Sequence, residues 1–278
     1  MRPRKALGQN FLVDPSVPPR IAAAAALAPG DLVVEVGPGL GVLTAALAAE
    51  LDPTAGGRLL AVELDRNLLP PLQARFAATP AVQLINADIL DLSLPELVGS
   101  RPYHVVANLP YYITSAILRH FLEADPPPTR LVVMVQREVA ERIVATPPAM
   151  SLLAASVQFY GLPRLMFRVP PGAFHPVPTV ESAVLRIDVY PPNERPVVVP
   201  DVAAFFAIVR AGFGQRRKQL GNSLAAGLNL DKATIAAALT TADLDPSRRA
   251  ETLTMAEWGA LAKVLGEGRA IVEASSSP

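Results

Sequence analysis

Cysteine is absent from the 278-residue chain, which excludes disulfides, thiolate metal ligands and cysteine nucleophiles. Histidine is nearly absent: His104, His120 and His175 are the whole set, and none lies at metal-ligand spacing from another, so no metal is expected. Lysine is scarce as well, with Lys5, Lys218, Lys232 and Lys263 the only four among 25 basic residues. Charged residues reach only 18%, below the typical ~25%, while hydrophobic residues make up 51%, which excludes a disordered or highly charged chain. No apolar run approaches the ~18 residues needed to span a membrane. Arg2, Arg4 and Lys5 precede the apolar stretch Ile21–Ala28 as in an export signal. The intervening polar, aromatic and proline-bearing residues, and the passage through Pro29-Gly30 into an apolar run, argue instead for a helix packed on a cytoplasmic domain.

The zero net charge hides an asymmetry. Residues 1–30 hold four bases and one acid, 31–128 five and eleven, 129–230 eleven and six, and 231–278 five and seven. An acidic centre between basic segments can offer a polyanion one favourable face in a chain that is neutral overall.

Short β-branched runs recur at Asp31–Val36, Arg58–Glu63, Val82–Asn86, His104–Asn108 and Arg130–Gln136, too far apart for hairpins. Helical patterns fill the gaps at Leu40–Leu51, Asn67–Phe76 and Thr114–Leu122, the last with Thr114 or Ser115 as N-cap. Near-continuous apolar strands of this kind imply a parallel sheet covered by helices on both faces. Helices over Glu138–Ala145 and Leu152–Tyr160 and two closer strands, Arg164–Val169 and Ser182–Val189, bring the strand count to seven. Four prolines in Pro191–Pro200 mark a linker, and beyond it the pattern is helical, with Phe205, Phe206, Val209 and Phe213 on one face. The expected architecture is a Rossmann-like α/β domain over residues 1–192 and a small all-α domain over 193–278, with a frayed tail from Gly266.

The first strand ends in Glu35 and runs into Gly37-Pro38-Gly39-Leu40-Gly41. Glycines let backbone N–H groups approach a ligand, and the helix that follows favours an anionic group. Val42 stands where the dinucleotide fingerprint needs its third glycine. The G-x-G-x-G spacing after a glutamate resembles the S-adenosylmethionine loop of class I methyltransferases, although a nucleotide site or simple turn chemistry also fits the loop taken alone. Glu63 closes the second strand where ribose hydroxyls of an adenosine cofactor would sit, and Asp88 after the third is suited to an adenine amino group. Either acid could equally cap a loop.

The fourth strand ends Asn108-Leu109-Pro110-Tyr111. An aromatic amine such as adenine N6 is a poor nucleophile because its lone pair is delocalised into the ring. Two acceptors, the Asn108 side-chain oxygen and the Pro110 carbonyl, could take both its protons and turn the lone pair toward an electrophilic methyl. Tyr111 could stack on the extruded base. A proline-ended strand with a core tyrosine is the plainer reading of the same residues.

Taken in order, the motifs resemble the bacterial KsgA-type (RsmA) ribosomal RNA adenine dimethyltransferases. The resemblance runs through Lys5–Leu12, Glu35–Gly41, Glu63-Leu64-Asp65, Asp88, Asn108–Tyr111, Val135–Arg142, Phe174–Ser182 and Gln215–Leu220, nearly the whole chain. It implies S-adenosylmethionine held by Gln9, Asn10, Leu12, Glu35, Gly37, Gly39, Gly41, Glu63, Leu64, Asp88, Ile89 and Asn108, with Phe174 as a second stacking partner for the adenine. It also implies dimethylation of two adjacent adenosines in the 3′-terminal hairpin loop of small-subunit rRNA, within a late pre-30S particle, by a monomer. Pro147-Pro148-Ala149-Met150-Ser151 departs from that pattern, where the family has a Tyr-Gly turn.

Val202–Leu230 holds Arg210, Arg216, Arg217 and Lys218 and no acid, and with Arg4 and Lys5 these are the candidate phosphate contacts. Three other functions use related motifs. A large-subunit rRNA adenine methylase of the macrolide-resistance type is the nearest. A DNA adenine methylase would favour Asp/Asn-Pro-Pro-Tyr, where this chain has Leu109. A non-catalytic RNA-binding assembly factor would be expected to lose the glycine loop or Asn108, and both are present.

Overall fold

The computed structural model describes residues 9–215 and 217–275. They form two compact units, one of residues up to Glu141 plus Leu162–Val189, the other of Arg142–Gly161 plus the chain from Tyr190 onward.

The first unit opens with β1 (Phe11–Leu12) and α1 (Val17–Ala25), then alternates β2 (Leu32–Val36), α2 (Val42–Ala48), β3 (Arg58–Glu63), α3 (Leu69–Phe76), β4 (Val82–Asn86), α4 (Leu94–Val98), β5 (Tyr103–Asn108), α5 (Thr114–Leu122) and β6 (Arg130–Gln136). After α6 (Arg137–Ile143) and α7 (Leu152–Tyr160) come β7 (Gly161–Val169), β8 (Phe174–His175) and β9 (Ser182–Val189). Seven strands make one sheet in the order β4-β3-β2-β5-β6-β9-β7. The pairs β3–β4, β2–β3, β2–β5 and β5–β6 are parallel, and β9 returns antiparallel along β6. This is the Rossmann-like α/β class expected from the apolar runs. Every residue of β2 is buried, Glu35 included, because helices cover both of its faces.

Strand order fixes where a ligand can sit. From β2 the chain steps outward through β3 to β4, then crosses back to β5 on the other side of β2, which opens a crevice beyond the carboxyl ends of β2 and β5. Val36 pairs in register with Ala107, so Gly37 and Asn108 leave the sheet side by side at that crevice.

A second, two-stranded sheet went unread in the sequence. β1 pairs antiparallel with β8, Phe11 opposite His175 and Leu12 opposite Phe174. The Val13 N–H extends the clasp to the Ala173 carbonyl at 2.8 Å. This stitches the N-terminal segment to the Phe-His-Pro segment some 160 residues later.

The second unit carries α8 (Val202–Phe213), α9 (Leu220–Leu228), α10 (Lys232–Thr241) and α11 (Met255–Ser275) beside α7. Its centre is aromatic: Phe159 stacks on Phe205 at 4.9 Å and meets Phe206 edge-on at 5.1 Å, while Tyr160 stacks on Phe206 at 5.8 Å. Asp201 caps α8 through the Ala203 and Ala204 N–H groups. Thr254 and Glu257 form a reciprocal capping box at the start of α11.

Some expectations differ from what is seen. Arg142–Gly161, assigned by the division at residue 192 to the sheet domain, packs in the helical unit, where the Met150 N–H donates to the Glu251 carbonyl and Gln158 bonds the Ile143 and Ala145 carbonyls. Strand β7 begins at Gly161 rather than Arg164. The backbone is helical from Met255 to Ser275. Thr114 is the first residue inside α5 rather than its cap, and its hydroxyl donates to the Pro110 carbonyl at 3.3 Å.

Candidate active site at the carboxyl edge of the sheet

The turn between β2 and α2 places Gly37, Gly39 and Gly41 at φ of 69°, 60° and 76°, a left-handed backbone that side chains oppose. Two of them serve opposite ends. A Cβ on Gly41 would strike Phe76 at 2.8 Å and Leu72 at 2.9 Å, so this glycine lets the turn lie against α3. A Cβ on Gly37 would meet nothing within 4 Å, because that side of the turn faces an open cavity.

Glu63, at the end of β3, takes the Gly39 N–H on one carboxylate oxygen at 3.1 Å and the Asp65 N–H on the other at 2.8 Å. It thereby fixes the glycine turn to the neighbouring strand. Burial raises its carboxyl above the ordinary range. Each oxygen still has a lone pair for a further donor. Glu35 is 1% exposed, and neither of its carboxylate oxygens has a hydrogen-bond partner among the described residues. Burial pushes this carboxyl up to about 8.

Asp88 follows β4 and accepts the Leu90 N–H at 3.0 Å, so it does cap a turn, with its second oxygen not engaged in that bond. On the far side of the crevice the Asn108 Nδ2 donates to the Asn10 carbonyl at 3.4 Å. This leaves the amide oxygen as the end of Asn108 without a donor among the described residues. The Tyr111 hydroxyl bonds the Ser182 Oγ at 2.8 Å, which pins the ring, and burial raises its phenol.

One cavity gathers most of the residues that the sequence singles out. Gln9, Asn10, Gly37, Gly39, Glu63, Leu64, Asp88, Ile89, Asn108, Pro110 and Tyr111 line it. Leu12, Glu35 and Gly41 lie behind its wall: Leu12 and Glu35 are buried, and Gly41 abuts α3. Phe174 does not line the cavity. It is 2% exposed and belongs to the core with Leu12, Val17 and Ile21. Its pairing with Leu12 across the small sheet draws it inward. Tyr112, which sequence reasoning passed over, lines the cavity and is 61% exposed. The signal was available, since two successive aromatics on a tight turn cannot share one direction.

In the helical unit Arg210, Arg217 and Lys218 are exposed. Arg4, Lys5 and Arg216 lie outside the described residues. Among the described residues no group of three or more acids and histidines could hold a metal, and no helix is long and apolar enough to cross a membrane.

The family model for ribosomal RNA adenine dimethylase matches residues 1–265. The chain belongs to this family. It is 48% identical over 268 residues to a ribosomal RNA small subunit methyltransferase A of Dehalococcoides mccartyi, covering 96% of this chain and 90% of that protein. It is 44% identical over 275 residues to the protein of the same name from Moorella thermoacetica, covering 95% and 92%. Among solved structures it resembles the 23S rRNA methyltransferase ErmE, with a TM-score of 0.72 and 27% identity over 92% of this chain and all of that one. A dimethyladenosine transferase from Plasmodium falciparum shares the fold, with a TM-score of 0.78 at 19% identity over 93% and 98%. As an rRNA adenine dimethylase the chain is an S-adenosylmethionine-dependent methyltransferase. The cavity fits that cofactor: an open glycine turn at one end, two acids beyond β3 and β4, and apolar Leu64 and Ile89 in its wall.

Proposed function

We propose that the chain dimethylates N6 of two adjacent adenosines in the 3′-terminal hairpin loop of small-subunit rRNA, acting as a cytoplasmic monomer on a late pre-30S particle. The observation that carries this reading is Asn108: its amide nitrogen is occupied by Asn10, so its oxygen is the end offered to an amino group beside Pro110 and Tyr111. The choice of the small subunit rests on relatives at 41–51% identity named for it, whereas ErmE, named for 23S rRNA, stands at 27%.

S-adenosylmethionine, when bound, supplies an electrophilic methyl group on sulfur. Gly37 and Gly39 would face its amino-acid end, Glu63 its ribose hydroxyls, and Asp88 its adenine amino group between Leu64 and Ile89, with Gln9 and Asn10 closing from the N-terminal side. The target adenine is splayed from its loop and stacks on Tyr111, whose ring is held by Ser182. Asn108 Oδ1 and the Pro110 carbonyl accept its two N–H protons and orient the nitrogen lone pair. Transfer then needs position and fixed dipoles rather than a strong base, and the amino proton leaves to solvent after each transfer. Two methyls on each of two adenosines make four turnovers. Phe174 pairs with Leu12 and packs in the core beside it, and Arg210, Arg217 and Lys218 meet phosphates, which set position and not sequence.

The test is methyl transfer to unmethylated ribosomal subunits. Label in the small subunit alone is expected. Label in the large subunit alone would move the chain to the ErmE-like activity, and label in neither would remove the proposal.

A further inference from the structure

Tyr112 is the one exposed Phe, Tyr or Trp among the described residues. It shares the short 3₁₀ turn Tyr111–Ile113 with Tyr111, and three residues per turn point the two rings about 120° apart. Tyr111 is inward and tied to Ser182, whereas the Tyr112 hydroxyl has no hydrogen-bond partner among the described residues. Tyr112 nevertheless lines the cavity, so its ring stands at the mouth. Leu64 is exposed at the same mouth, which makes the rim apolar beside a site that must admit RNA. A solvated aromatic in such a place contributes little to the fold and presents a face on which a base can stack.

We propose that Tyr112 is the stacking platform for the base next to the adenosine in the pocket, and so a positioning residue for the adjacent pair. This rests on the reading that the substrate holds two neighbouring adenosines. Extruding one base strips its neighbour of a stacking partner, and the Tyr112 ring replaces that face at the rim. The two bases can then exchange places. A dimethylated adenine has no N–H left to offer Asn108 and Pro110, yet keeps its π-face, so it leaves the pocket for the platform while the second adenosine enters.

The test compares wild type, Tyr112→Ala and Tyr112→Phe, with melting temperature as the folding control. The probes are unmethylated small subunits and a synthetic hairpin RNA bearing the pair, intact or with either adenosine replaced by an abasic site. Tyr112→Ala is expected to raise KM for subunits and Kd for the intact hairpin about tenfold or more, and Tyr112→Phe to recover most of the loss. On hairpins lacking one base of the pair, wild type and Tyr112→Ala are expected to bind alike, because the platform has nothing to hold. An equal loss on intact and abasic RNA, or no change in KM for subunits, overturns the inference. If wild type labels neither adenosine, the functional reading itself has failed. Normal labelling that is indifferent to Tyr112 removes this inference alone.

Discussion

Asn108 and Asn10 meet across the cavity, the side-chain amide of one donating to the main-chain carbonyl of the other at 3.4 Å. The contact gives the amide a direction, and β1, clasped by β8, holds the carbonyl that sets it. Asn108→Ala is therefore expected to lower the transfer rate by about 10²-fold or more, while S-adenosylmethionine and RNA still bind in weakened form. Turnover near the wild-type rate would remove the proposed role of the amide.

The two ends of the glycine turn should separate in mutation. Gly41→Ala meets an unfavourable φ and the buried Phe76 ring and Leu72 side chain of α3, and should cost about 2–5 kcal/mol of stability. Gly37→Ala has space for its Cβ and should cost only about 1–2 kcal/mol, yet it intrudes on the cavity and should weaken cofactor binding more than it lowers the melting temperature. Thermal melts and cofactor titration of both variants check this, and the reverse ranking would contradict it.

Glu35 makes stability depend on pH. Its folded carboxyl, near 8, lies above the unfolded value near 4.5, so the folded state holds a proton that the unfolded state releases. Its contribution is most favourable below about pH 4.5, falls as pH rises through the interval to about 8, and is flat beyond. Glu63, also raised by burial, acts in the same direction. Glu35→Gln should flatten this slope and stabilise the cofactor-free protein at pH 8 by a few kcal/mol, as read by denaturant titration at several pH values. An unchanged slope would mean that the carboxylate has found a partner.

Reversing Arg217 and Lys218 to Glu should weaken RNA binding and reduce the slope of log affinity against log salt by roughly 0.7–0.9 for each phosphate that is no longer neutralised. Cofactor affinity should stay as it was. Identical slopes for variant and wild type would take these residues out of the RNA footprint.

Local patterns made the main sheet legible. Arg58–Glu63, Arg130–Gln136 and Ser182–Val189 stand as read because strands largely buried on both faces leave long apolar runs, and the edge strand Val82–Asn86, with no buried residue, stands as read on its Val, Leu and Ile. The cavity was legible for the same reason, since Gly37, Glu63, Asp88 and Asn108 all mark strand ends. What escaped depends on distance along the chain. A two-residue strand such as Phe11–Leu12 has no period, and only its pairing with Phe174–His175 defines it. That pairing also buries Phe174, whose hydrophobicity fits a plug as well as a stacking ring. Residues 142–161 precede the last strands of the sheet in the sequence and so fall on its side of a division at residue 192, whereas their attachment to the helical unit rests on aromatic contacts of Phe159 and Tyr160 with residues beyond 200.

Mass spectrometry of small-subunit rRNA from cells with and without this gene tests the central claim most directly. The account predicts two adjacent N6,N6-dimethyladenosines in the 3′-terminal hairpin fragment when the gene is present and unmodified adenosines when it is absent. Identical modification in both strains, or a loss confined to large-subunit rRNA, would contradict it.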